Sequence, residues 1–173
     1  MSQIATSVVK GQFQMAHNWF EGTFGDVSSE QAHWQPAGKT APIAGHYVHV
    51  VCVEDVFLNM MLKKGAPLMA SSFAGKTGID PVPQNPRMGE WAHSVKVDLM
   101  AVRAYAKAVA DATDATLGAM QDDELQKPFD LSMVGIPNGT VATMLSLMLL
   151  NIYSHSGEIS TIKGLQGLKG YPG

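Results

Sequence analysis

The spacing of apolar residues along the chain predicts four long helices. Near the N-terminus, apolar side chains recur every three or four positions, at Ile4, Val8, Val9, Phe13, Ala16, Phe20 and Phe24. This is the period of an α-helix rather than of a strand, so helix 1 is predicted to cover roughly residues 1–24. The next stretch is rich in glycine and proline, and it predicts a connector in which Ser28 or Ser29 caps one helical turn.

A long link is predicted between helices 2 and 3. Helix 2 is expected to begin near Pro42, which suits a first helical turn, and to end near Lys64–Gly65. Residues 65–94 combine many Gly, Pro and Ser with no sustained period, which predicts a crossover with room for a short helical turn. Helix 3 is predicted from about Val95 to Met120. A link of this length lets helices 2 and 3 run parallel, whereas a tight turn would make them antiparallel.

The last long helix carries the most apolar segment of the chain. Loop composition returns over residues 121–139, and helix 4 is predicted to begin at about Thr140, a suitable N-cap, and to end among Gly164, Gly167 and Gly170. Its inward face is predicted to hold Val141, Met144, Leu145, Met148, Asn151, Ile152, His155 and Ile159. Because no segment shows convincing strand alternation, we predict an all-α four-helix bundle, with residues 1–173 in one domain.

Composition and charge narrow the classes of partner. The 173 residues are 46% hydrophobic and 16% charged, with a net charge of -3. No cluster of Lys and Arg suggests binding to nucleic acid or to an anionic membrane. The segment Val141 to Tyr153 is shorter than the roughly 20 apolar residues of a bilayer span. With one cysteine, Cys52, expected to be an inert buried thiol, and no secretory signal pattern, we predict a cytoplasmic protein.

Polar residues on two apolar helix faces are the candidates for chemistry. Asn151 and His155 are four residues apart, so they share the inward face of helix 4. His46 and His49 are three apart and flank the apolar stripe of helix 2, so at least one of them can face inward. Imidazoles from facing helices can hold a divalent metal, and a catalytic site uses three protein ligands and one open position.

The spacing alone leaves a plainer alternative open, and favours it. In this interpretation His49 and His155 are buried histidines, each satisfied by a hydroxyl or a backbone carbonyl, with Ser154, Tyr47 and Ser160 nearby.

Other titratable residues are predicted to be structural. Glu54 and Asp55 are adjacent on helix 2 and therefore diverge, so a salt bridge to Arg103 or a helix cap is expected instead of paired catalysis. Surface positions or local hydrogen bonds are expected for three further histidines, His17, His33 and His93.

Two segments resemble a known family. The stretches "IAGHYVHVVCVEDVFLN" and "NIYSHSGEIS" resemble the two signature helices of the DinB/YfiT-like family of metalloenzymes. That family's second helix carries a His followed five residues later by an acidic residue, here His49 and Glu54. Its fourth helix carries His-x-x-x-His, then x-Gly-Gln or x-Gly-Glu, here Asn151, His155 and Glu158.

The resemblance implies a metal site and a function. His49, Asn151 and His155 stand at the family's three ligand positions, with Asn151 in place of a histidine, and Glu158 or His46 could replace the missing ligand. The family implies the DinB/YfiT bundle, zinc or nickel, a homodimer, and a thiol-dependent S-transferase or related hydrolase that acts on a small molecule with a low-molecular-weight thiol. The alternative is a metal-free protein that binds a small molecule or serves as an interaction module.

Overall fold

The computed structural model describes residues 3–173 and is mostly helical. Helix α1 spans Ile4–Phe24, which confirms the first predicted helix; residues 1–2 of that prediction lie outside the described residues. Helix α2 spans Ser29–His33 and is the short capped turn that was predicted. The Ser28 hydroxyl accepts the Gln31 N–H, and the Gln31 side chain accepts the Ser28 N–H, so both groups are satisfied reciprocally.

Helix α3 is the central helix of the protein. It spans Ile43–Asp55 and continues as a π-helix over Val56–Leu62, so it ends close to the predicted Lys64–Gly65. Pro42 precedes the first turn and does not belong to it. Every residue of α3 except Val53 is buried. A helix buried all round has no solvent face, so its polar side chains need partners inside the protein.

The link over residues 65–94 is more structured than its composition predicts. It holds two 3-10 turns, Leu68–Ala70 and Glu90–His93. Strand β1, Ile79–Asp80, pairs antiparallel with strand β2, Lys96–Val97. Strands of two residues are too short to produce a detectable alternation of polar and apolar positions.

Strand β2 displaces the predicted start of the third long helix. Helix α4 spans Leu99–Ala119, so the expectation of a helix from Val95 is wrong by four residues. The Asp98 carboxylate accepts the N–H of Ala101 at 2.9 Å and caps the helix at its actual start. The helix starts later than its apolar spacing predicts because the Asp98 cap fixes the position of its first turn.

A hairpin replaces the loop predicted over residues 121–139. Strands β3, Pro128–Leu131, and β4, Ile136–Thr140, pair antiparallel after a 3-10 turn at Asp122–Gln126. Gly135, at φ +82°, adopts the left-handed conformation that the turn requires. The expectation that no segment forms a strand is therefore wrong, although the bulk of the chain is helical.

The four long helices enclose one core. Helix α5 spans Val141–Leu165 and begins where predicted, with the Thr140 hydroxyl accepting the N–H of Thr143. Helix α1 packs against α4 and α5, and α3 packs against the same two helices. None of the helices formed by residues 3–173 combines the length and the apolar character that a membrane span requires.

Asp55 ties α3 to two other elements. Its fully buried carboxylate accepts the backbone N–H groups of Leu68 at 2.8 Å and Met69 at 2.9 Å. It also accepts Asn59 Nδ2 and the Tyr105 hydroxyl of α4, each at 2.8 Å. Asp55 does not cap its own helix, although the adjacent carboxylates predict a helix cap; instead its carboxylate accepts N–H groups of the separate Leu68–Ala70 turn.

Replacing Asp55 should destabilise the fold strongly. Asp55→Ala removes the acceptor of two buried side-chain donors and two partly buried N–H groups, so the free energy of unfolding should fall by at least about 3 kcal/mol in urea titrations. Asp111→Ala, which removes an exposed carboxylate from its pair with Lys107, is the control and should change it by less than about 0.5 kcal/mol. Equal effects of the two substitutions would contradict this role for Asp55.

Candidate metal centre

Three ligand-type side chains from α3 and α5 meet at one point. His46 Nδ1 lies 2.9 Å from His155 Nδ1 and 3.0 Å from Glu158 Oε2, and Glu158 also contacts His155 Nδ1. One ligand atom from each residue lies within 4.8 Å of the other two. His46 is buried, His155 is half-buried and the Glu158 side chain is 49% exposed, so the group extends from the core to the surface.

No arrangement of protons gives a hydrogen bond at each of the three contacts in the triangle of His46 Nδ1, His155 Nδ1 and Glu158 Oε2. Each of the three atoms either carries a proton or does not, so at least two of them are alike. Two protonated atoms, or two lone pairs, cannot form a hydrogen bond with each other. Whichever protonation state is chosen, one close contact therefore stays unfavourable, whereas a cation at the centre would attract lone pairs from all three atoms.

The donor set fits a divalent cation. Two imidazole nitrogens and one carboxylate oxygen are the protein ligands of several catalytic zinc sites, in which a fourth position stays open. In a tetrahedral site with bonds of about 2.1 Å, neighbouring ligand atoms lie about 3.4 Å apart. The two contacts of His46 Nδ1, at 2.9 and 3.0 Å, are shorter than this, and the contact between Glu158 and His155 is shorter still, so the three side chains must move apart to hold an ion.

The electrostatic surroundings keep the imidazoles neutral. Burial, followed by the neighbouring imidazoles His49 and His46, lowers the pKa of His155 to about 3. Burial, followed by His49, lowers the pKa of His46 to about 4. Partial burial raises the pKa of Glu158. Neutral imidazole is the form that binds metals, so both histidines are available as ligands at neutral pH.

His49 and Asn151 lie directly beside the triangle. The His49 ring packs edge-on against His155, with 4.6 Å between ring centroids. Its Nδ1 lies 2.5 Å from the Pro86 carbonyl, which can only accept, so Nδ1 carries the proton of the neutral ring. Its Nε2 therefore presents a lone pair to the Asn151 amide, whose Oδ1 lies 3.1 Å away. Either the Asn151 amide is turned so that its Nδ2 donates to His49 Nε2, or the lone pairs of His49 Nε2 and Asn151 Oδ1 face each other, an arrangement that a bound cation would stabilise.

The structure brings all five predicted site residues together in two groups. His49 and Asn151 contact each other, and His155 lies between them and the pair formed by His46 and Glu158. That His49, Asn151 and His155 bind a metal stays a prediction. Sequence spacing missed the Pro86 carbonyl because a loop far along the chain supplies it. The hydroxyl partners Ser154, Tyr47 and Ser160, proposed for a metal-free arrangement, are not the partners of either histidine among residues 3–173.

A second polar cluster corrects the prediction for His17 and Glu54. His17 Nε2 lies 2.9 and 3.0 Å from the two carboxylate oxygens of buried Glu54, which also accepts the Thr113 hydroxyl at 2.5 Å. His17 is therefore not a surface histidine. The expected salt bridge from Glu54 to Arg103 is wrong, because Arg103 pairs with Glu21. Burial lowers the pKa of His17, but Glu54, together with Asp114 and Glu21, outweighs this effect, so the pKa of His17 is raised.

The stability of metal-free protein should depend on pH through these histidines. The folded pKa values of His46, His49 and His155 lie below 6.5, so the unfolded chain binds more protons as pH falls. The free energy of unfolding in EDTA should decrease between about pH 6.5 and 4. His155→Gln should make this decrease shallower, as measured by urea titrations at each pH.

His17 provides a comparison of opposite sign. Because its folded pKa is raised, its pair with Glu54 stabilises fully below pH 6.5 and is lost as pH rises through the folded pKa. His17→Gln should abolish the gain in stability that the native protein shows as pH falls toward 6.5. An unchanged profile in both variants would contradict the assigned pKa directions.

Comparison with known proteins agrees with this architecture. A comparison with curated proteins finds no match. A solved structure, described as a conserved protein of a locus from Enterococcus faecalis, is similar with a TM-score of 0.78 at 20% sequence identity. The match covers 94% of this chain and 96% of that chain, and it shows a shared fold. The family model described as the DinB superfamily matches residues 12–158, a range that contains all five site residues. The chain therefore belongs to the DinB superfamily.

Proposed function

We propose that the protein is a divalent-metal-dependent enzyme that acts on a small molecule, with His46, His155 and Glu158 as its ligands. The observation that carries the proposal is the triangle of ligand atoms that no arrangement of protons satisfies. Zinc suits the two nitrogens and one carboxylate oxygen best, and nickel is the second choice. Membership of the DinB superfamily supports a metal-dependent role.

The proposed ligand set differs from the one that the family resemblance implies. Both sets contain His155. The amide oxygen of Asn151 is a poorer zinc ligand than a carboxylate, which favours Glu158 in its place. His49, oriented by the Pro86 carbonyl, then packs against His155 and holds its ring toward Glu158. This is the supporting role that groups around a metal site commonly have.

The residues of the chain prepare the site for chemistry at neutral pH. A bound divalent cation supplies a Lewis acid that lowers the pKa of a water or thiol at its open position. Burial keeps His46 and His155 neutral and ready to bind, and the half-exposed Glu158 leaves the site open to solvent. The reaction class proposed is S-transfer with a low-molecular-weight thiol, or a related hydrolysis. We also propose that the chain forms a four-helix bundle of the DinB type with a crossover over residues 65–94. Two chains are proposed to pair as a homodimer.

A metal-free binding protein is the second candidate. The observation in its favour is that His49 already has the Pro86 carbonyl as an acceptor and Asn151 as a neighbour. In that case the protein binds a small molecule, or a protein partner, without catalysis.

Metal content separates the two candidates. Protein purified in chelator-free buffer, without an affinity tag or added nickel, should contain about one zinc per chain by elemental analysis. His155→Ala should contain less than about a tenth of an equivalent, because it removes a ligand common to both proposed sets. Ser154→Ala, which changes an exposed neighbour on the same helix, should keep its zinc. Native protein with less than about a tenth of an equivalent would contradict the enzyme proposal.

Two substitutions separate the two ligand sets. His46→Ala should weaken zinc binding by about 100-fold or more, and Asn151→Ala by about tenfold at most, when affinity is measured by chelator competition. A gain of about 10–100-fold in Asn151→His, combined with a small effect of His46→Ala, would assign the site to His49, Asn151 and His155 instead.

A further inference from the structure

An apolar cavity opens on the His49 side of the metal centre. It has a volume of about 520 Å³, within the usual range for small-molecule sites of roughly 300–1,000 Å³. His49 and Asn151 form part of its wall. His49 lines the cavity and packs against His155, so the cavity lies next to the candidate metal centre, although His46, His155 and Glu158 are not among its lining residues.

Four methionines line this cavity, two of them buried and two exposed. Met144 and Met148 are buried, as expected for core methionines, but Met88 is 37% and Met133 is 43% exposed. Core packing therefore does not explain the last two. Thioether side chains are flexible and polarisable, and they adapt to irregular apolar shapes. The cavity is thus suited to an aliphatic or aromatic group.

Arg87 is the charged residue of the cavity wall. Among residues 3–173, no carboxylate forms an ion pair with its guanidinium. The lining includes no Asp, Glu or Lys, and burial lowers the pKa of His49, so the wall carries one net positive charge.

Hydrogen bonds hold the Arg87 backbone beside the site. The neighbouring Pro86 carbonyl accepts His49 Nδ1 at 2.5 Å, and the Arg87 carbonyl accepts Trp91 Nε1 at 2.7 Å. The Arg87 N–H donates to Asn85 Oδ1 at 3.1 Å. These bonds fix the backbone of an exposed residue that lines the cavity, and a guanidinium is suited to bind a carboxylate through two parallel hydrogen bonds.

We propose that this cavity binds the substrate of the metal centre and that the substrate is a small carboxylic acid with an apolar body. The apolar body lies among Met133, Met144 and Met148, and Arg87 binds the carboxylate. This assignment of a substrate class rests on the proposed function. It extends the proposed function by naming Arg87 as the residue that selects a negatively charged substrate.

Binding of a matched pair of probes tests the proposal. 4-Phenylbutyrate and 4-phenylbutanol share an apolar body and differ in charge. The full chain, with labelled methionine methyl groups, is titrated with each probe by NMR. The acid should bind about tenfold or more tightly than the alcohol, with shifts in the Met133 and Met148 methyl groups. Arg87→Gln should remove this preference and leave the affinity for the alcohol unchanged.

The control and the metal state make failure interpretable. Lys76→Gln removes an exposed cation outside the cavity and should keep the preference for the acid. Each titration is run in EDTA and again with one equivalent of zinc. If the native protein binds no zinc but still prefers the acid, only the proposed function is contradicted. Equal affinities for the two probes, shifts outside the cavity, or no binding of either probe would overturn the proposed substrate class, whatever the zinc result.

Discussion

The burial of α3 on every side is the constraint on which the rest of the structure depends. This helix carries His46, His49, Glu54 and Asp55, and all four are buried. An unpaired buried polar group costs about 1–3 kcal/mol, and an unpaired charge costs more, so each must meet a partner from another element. Helix α1 supplies a partner for Glu54, helix α4 one for Asp55, and helix α5 one for His46. The polar residues of α3 therefore connect it to each of the other three long helices.

The buried polar side chains of α3 differ in how completely their hydrogen-bonding groups are satisfied. Asp55 has four donors, and Glu54 has an imidazole and a hydroxyl, so both carboxylates are compensated within the protein. At His46, by contrast, three ligand atoms meet without enough compatible protons. Departures from otherwise consistent packing are expected at functional sites. The same helix thus combines structural anchors at its C-terminal end with a candidate site nearer its N-terminal end.

Local signals predicted much of the fold. Helical spacing and the Ser28 and Thr140 caps located α1, α2 and the start of α5, because these depend on residues close in sequence. Strands β1 and β2 were missed because each has two residues and forms only by pairing across the long link, and the β3–β4 hairpin was missed because Pro137 and Gly139 are not typical of strands.

The site divides in the same way. Helical periodicity identified Asn151 and His155 as inward-facing, and the family resemblance drew attention to His49. The contacts of His17 with Glu54 and of His49 with Pro86 join separate elements, so no local pattern encodes them. His46 and Glu158 were predicted only as replacements, because neither occupies a ligand position in the family motif. Their approach to His155 depends on how α3 and α5 pack.

We propose that His46, His155 and Glu158 converge because they hold a cation. Anomalous diffraction at the zinc edge, from crystals of the untagged protein, tests it most directly. We expect one anomalous peak per chain, at about 2.0–2.2 Å from His46 Nδ1, His155 Nδ1 and a Glu158 oxygen. A crystal structure with these three side chains in contact and no peak between them, even after soaking in zinc, would contradict it.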